Sequence, residues 1–188
     1  MNRLNARGLV LISLLGACGG LSVMTTNLFH ALIPLPGFGG IATIPLGAAC
    51  LLIVREKVPY RWSATLTKLV QQVVILFLPG GPVWAHHPLF VPLMLLDGVI
   101  IDAAALRNPG ESWARHPVRS VSIIAVSGAI SAAVQGGVTY LVLGPAAGLL
   151  AQGILFFTLV FVGFHTVLRA AGAGLGVWLL RVIPQRGV

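Results

Sequence analysis

The sequence predicts an all-α, polytopic membrane protein of about six transmembrane helices with both termini on the cytoplasmic side. Three observations carry that expectation. The 188 residues are 57% hydrophobic and 9% charged, with a mean hydropathy of +0.96, whereas soluble domains carry about 25% charged residues. Six apolar runs are separated by short polar or Pro/Gly-rich segments. When those segments are assigned alternately to the two sides, with the N-terminus inside, all 12 Lys and Arg fall on one side. Positive residues favour the cytoplasmic face of membrane proteins, so the alternation also predicts the orientation, most simply in a cell inner (cytoplasmic) membrane.

The first run, from about Gly8 to Leu32, follows the basic start MNRLNAR. It exceeds the roughly 7–15 apolar residues of a signal peptide and is read as a retained helix. PLPGFGG (34–40) ends it, because its prolines and glycines favour turns. Spans two to six are expected at 40–54, 64–78, 89–106, 120–143 and 146–168, the second containing Pro45. The connections are REKVPYRW (55–62), PGGPVWAHHP (79–88), the long polar stretch RNPGESWARHPVR (107–119) and the GP pair at 144–145. The residues after Arg169 form either an interfacial helix over 170–182, with Trp178 at the headgroup level, or an extension of span six. Lys68 lies a turn or two into span three, from where its long stem can snorkel back to water. The whole chain, 1–188, then forms one transmembrane domain.

The net charge of +8 does not point to nucleic acid. Nucleic-acid binding needs a basic patch on one exposed face, and here the cations are dotted between apolar runs. Cys18 and Cys50 stand alone inside apolar runs, which suits small buried hydrophobes rather than a zinc site or a disulfide framework. No residue pattern recurs between the two halves, as an inverted-repeat transporter would require.

Ionisable residues within a span are costly, about 2.5–3.5 kcal/mol on insertion scales, and are functional candidates for that reason. Asp97 and Asp102 qualify. Five residues apart, they are separated by about 7.5 Å along a helix and by roughly 140° around it, so they do not form an acid/base pair by spacing. Asp102, near the cytoplasmic end, is expected to pair with Arg107. Asp97 lies deeper, and either a functional role or a helix–helix hydrogen bond fits it. The Asp97–Gly98 pair lacks the companion residues of a phospho-alcohol transferase motif, and that reading is rejected.

The topology gathers His30, His86 and His87 at the outer side with Asn27 and Trp84, while His116 and His165 lie toward the inside. Imidazoles suit zinc, copper and nickel, so His30, His86 and His87 are a candidate metal set. Adjacent side chains of an extended segment diverge, however, and solvated interfacial histidines before Pro88 are the simpler explanation of the pair. The uncharged polar residues Asn27, Gln71, Gln72, Gln135, Tyr140 and Gln152 interrupt apolar runs. Each can serve an interhelical hydrogen bond worth about 0.6 kcal/mol, and together they can line a polar cavity open to the outside. Ser13/Ala17 and Gly16/Gly20 place small residues four apart, a spacing that lets another helix approach closely. Ser127, Gly128, Ser131 and Ala132 repeat the theme.

Six spans with inside termini, a first helix with small residues at spacing four, and the outer PLPGFGG loop leading into a short second helix resemble the S components of energy-coupling-factor vitamin transporters. The likeness covers nearly the whole chain and is mainly architectural. It implies a substrate-binding subunit that captures a small polar molecule, a vitamin or its precursor, from outside. Uptake would be driven by a transmembrane coupling subunit and two cytoplasmic ATPases. Ser13, Gly16, Ala17 and Gly20 would dock that subunit. The substrate residues would be Asn27, His30, Phe38, Trp84, His86, His87, Asp97, Gln135, Tyr140 and Gln152. The absence of a GxxxxGK[ST] loop from the sequence agrees with energy supplied by partners. No catalytic residue and no cofactor are expected. Two other readings remain: a metal-binding membrane enzyme or subunit built on His30, His86 and His87, and a non-catalytic assembly subunit.

Overall fold

The structure, a computed structural model, describes residues 3–26, 40–78, 90–143, 153 and 157–182. Those residues are helical almost throughout: α1 (Ala6–Leu21), α2 (Gly40–Lys57), α3 (Ser63–Phe77), α4 (Phe90–Leu106), α5 (Pro117–Leu143) and α6 (Gly163–Val182). A short π-helix, Phe157–Val162, runs straight into α6. Three stretches are long and apolar enough to cross a membrane: Ala6–Thr26, Pro117–Val138 and Leu159–Val182.

Local chemistry sets the helix starts. The Asn5 side chain accepts the Gly8 amide at 2.7 Å and caps α1. Pro117 opens α5, where its missing N–H costs no hydrogen bond. Helix α3 has no side-chain cap of its own and takes one from α4. The Asp102 carboxylate accepts the amides of Ala64 (3.2 Å) and Thr65 (2.8 Å) and the Thr65 hydroxyl (2.7 Å), filling the positive end of α3 with a negative charge.

Neighbouring helices meet in the order α1, α3, α4, α5, α6, α2 and back to α1, which closes the bundle, and α2 also touches α3 and α5. Apart from Thr43, helix α2 carries no polar side chain before Arg55, and Ala48–Leu52 and Val54 are buried. Its closest partner is α6. A methyl group at Gly172 would overlap the Pro45 backbone, and one at Gly176 would lie 3.2 Å from Ala49. Residues 170–182 therefore continue α6 through the core and are not a separate interfacial helix. Of the run expected as span six, the described part starts at residue 157, apart from residue 153.

One end of the bundle is basic. Gly8 at the start of α1 meets Val58 just beyond α2, and Leu180 near the end of α6 clusters with Ala105 and Trp113. The starts of α1, α3 and α5 and the ends of α2, α4 and α6 thus gather there, with Arg7, Arg55, Lys57, Arg61, Arg107, Arg115, Arg119 and Arg181. Residues 107–116 fold over this end. Gly110 provides the positive φ of 85°, and the Glu56 carboxylate accepts the Trp113 amide (2.6 Å), the Ala114 amide (3.3 Å) and the Ser112 hydroxyl (2.8 Å). Beneath this cover lies a packed apolar plug of Ala48, Leu51, Leu52, Ile101, Ala105, Ile124, Ala173, Val177 and Leu180.

The outer surface carries large apolar side chains on every helix, among them Val10, Leu14, Val73, Phe77, Val126, Leu141, Val167 and Trp178. The interior holds Lys68, Asp97, Asp102, Arg169, Gln72 and Ser127. Large exposed apolar side chains together with inward-facing charged groups are compatible with a membrane protein.

Candidate functional site

Above the apolar plug, near the middle of α4, four helices converge on one buried carboxylate. Asp97 is 1% exposed. Its Oδ1 accepts the Ser127 hydroxyl of α5 at 2.6 Å. Its Oδ2 forms an ion pair with Arg169 of α6 and lies 3.8 Å from the Lys68 ammonium of α3. Lys68 also donates to Gln71 Oε1 at 3.1 Å. Gly128 makes room for this arrangement, because a methyl group there would collide with the Arg169 stem.

A polar track continues from the cluster toward the end opposite the basic one. On α5, Ser131 and Gln135 follow Ser127 at four-residue intervals, so the three share one face. Ser131 is buried and its hydroxyl has no hydrogen-bond partner among the described residues. Gln135 Nε2 lies 3.7 Å from the Met94 sulfur. Gln72 is buried one turn beyond Lys68, and His165, half-buried, lies one turn beyond Arg169 with its ring 4.6 Å from that of Phe161. The guanidinium Nε of Arg169 is buried without a hydrogen-bond acceptor among the described residues.

Of the substrate residues expected from the sequence, Asp97 and Gln135 belong to this site. Asn27, His30, Phe38, Trp84, His86, His87 and Gln152, together with the Tyr140 side chain, lie outside the described residues, as does the candidate metal set. Among the described residues no group of three His, Cys, Asp or Glu could hold a metal ion. The small-residue stripe of α1 is divided. Gly16 and Gly20 face α3, where a methyl group on either would come within 2.7 Å of Val70 or Val74, whereas Ser13 is exposed and Ala17 half-buried.

Three expectations about charged residues are corrected. Lys68 does not snorkel to water, because it is 7% exposed and turned toward Asp97. Arg169 does not anchor an interface, because α6 runs on for 13 residues to Val182. Asp102 pairs with Arg55, not Arg107: Arg55 Nη1 reaches Asp102 at 3.4 Å, Ser63 Oγ at 3.0 Å and the Tyr60 carbonyl at 2.5 Å. The sequence did hold a signal for Arg169. Gly172 and Gly176 repeat the four-residue spacing of small residues seen in α1, and they mark the segment after Arg169 as a packing face.

Around the basic end, an open cleft of about 750 Å³ is lined by Glu56, Gly110, Ser112, Ala114, Arg115, Leu180 and Arg181. The Glu56 carboxylate in it is already taken up by the 112–114 amides and hydroxyl. No known protein family, no curated protein and no solved structure matches the chain.

Proposed function

We propose that the chain is the substrate-binding subunit of a membrane importer of the energy-coupling-factor type, spanning the cytoplasmic membrane six times with both termini inside. It takes a small polar molecule, a vitamin or precursor, from the outer side and hands its transport to a coupling subunit and two ATPases. One observation carries this reading: a buried polar and charged track that is closed at the basic end by a packed apolar plug and the 107–116 cover. A channel needs a path through the bundle. A subunit that binds from one side needs a polar interior and a floor, and the bundle has both. Ligand sites in helical bundles are built from side chains of facing helices, and an intramembrane ionisable cluster marks such a site. The basic end, rich in Arg and Lys, suits the cytoplasmic face.

The chain purified without partners should retain one small molecule, identified by mass spectrometry of a denatured extract. Reconstituted alone in liposomes, it should drive no accumulation of that molecule against a gradient. A preparation that retains nothing and is not stabilised by any water-soluble vitamin overturns the proposal. So does a stoichiometric metal that is lost when His86 and His87 are changed to Ala.

A further inference from the structure

The buried cluster does not balance its own charge. Lys68 and Arg169 bring two positive charges to the single negative charge of Asp97, with histidine counted as neutral. The whole chain has only 4 acidic residues, and the other three are engaged elsewhere. Asp102 caps α3 and pairs with Arg55, Glu56 holds the 112–114 segment, and Glu111 pairs with Arg119 and His116. The stretches outside the described residues contain no Asp or Glu at all. No acidic side chain anywhere in the chain can therefore neutralise the second cation. An uncompensated charge in a dry interior is expensive. The same site leaves the Arg169 Nε and the Ser131 hydroxyl buried with no partner among the described residues, both able to donate hydrogen bonds.

We propose that the molecule bound in the track is a soluble organic monoanion whose carboxylate supplies the missing negative charge beside Lys68 and Arg169. This rests on the importer-subunit reading above and gives its substrate a chemical class. One excess positive charge calls for one negative charge, so a carboxylate balances the site, whereas a doubly charged phosphate would overshoot. A guanidinium beside an ammonium suits it, since Arg presents planar paired donors and Lys a compact charge. Ser131, Gln135 and His165 lie on the path from the opposite end and can hydrogen-bond the uncharged remainder.

The test uses the full chain in phosphatidylcholine nanodiscs and matched pairs of probes: acetate and acetamide, benzoate and benzamide, nicotinate and nicotinamide, biotin and biotinamide. At least one carboxylate should raise the Tm by about 2 °C or more, as a bound ligand does by mass action, and its amide should not. The informative variant is Lys68→Gln, which leaves Asp97 and Arg169 as a balanced pair. It should unfold at no lower temperature than the unliganded wild type while losing at least about tenfold in carboxylate affinity. An amide that matches its carboxylate, a shift that survives in Lys68→Gln, or the absence of a shift with every carboxylate overturns the proposal. So does stabilisation by phosphatidylglycerol nanodiscs alone, which would assign the charge to a lipid headgroup. A neutral or cationic molecule in the denatured extract overturns the anion and leaves the importer subunit standing. An empty extract with no response to any probe removes both.

Discussion

At the scale of single residues, two of the chain's four carboxylates, Asp97 and Asp102, are buried. Asp97 holds two cations, and removing it would leave both buried without a counter-charge. Breaking a buried pair in this way costs about 3–5 kcal/mol. Asp97→Asn should therefore lower the thermal unfolding temperature of the ligand-free protein sharply, and adding Lys68→Gln should restore part of the loss. Simple addition of the two effects would show that the side chains do not interact. Asp102→Ala should also destabilise, because it removes the α3 cap, worth about 0.5–2 kcal/mol, and strands Arg55. Asp102→Asn, which can still accept the α3 amides, should cost less in the same unfolding measurement. Asp97 and Asp102 stood out in the sequence because carboxylates are rare in apolar runs. Their partners did not, because a Lys or Arg near the presumed end of a span reads equally well as an anchor in water. Which of the two it is depends on where the helix ends and which neighbour it faces, and both are set by tertiary packing.

At the scale of elements, the helices α2 to α5 coincide with apolar runs, since each run is bounded by Pro, Gly or charge. Helix α6 was harder to read. Arg169 breaks the hydropathy of its segment, and glycine lowers helix propensity, so the sequence leaves 170–182 open between an interfacial helix and an extension of span six. The glycines are there because α2 comes too close for any side chain. Gly172→Ala should be strongly destabilising, since the added methyl meets the Pro45 backbone and overpacking typically costs about 1–3 kcal/mol or more. Gly174→Ala, two residues on, meets nothing within 4 Å and should unfold at the wild-type temperature or above. Equal effects of the two substitutions would remove the α2–α6 contact as their cause.

At the scale of the molecule, a largely apolar core encloses a few charged and polar side chains, large apolar side chains are exposed on every helix, and positive charge is concentrated at one end. Composition alone makes lipid the expected solvent, because 9% charged residues are few for a wet surface. It does not show that some of those charges are in the middle. With the proposed orientation, a cysteine introduced as Pro109→Cys in a Cys18→Ser, Cys50→Ser background should react with an impermeant maleimide only after cells are opened. One introduced as Gly81→Cys should react in intact cells. The reverse pattern would invert the molecule and place its floor outside.

The fastening of the basic end has a mechanical consequence. Asp102 ties α3 to α4 and reaches α2 through Arg55, and Glu56 ties α2 to the turn before α5, so four helices share one clamp. Such helices behave as cantilevers, still at the clamp and freest at the far tip. Helix α5, with 27 residues, extends about 40 Å. A tilt of about 5° at its base would carry its tip sideways by roughly 3.5 Å over that length, the width of a small molecule's edge. A shift of that size at the far end of α5 leaves the clamped end in place.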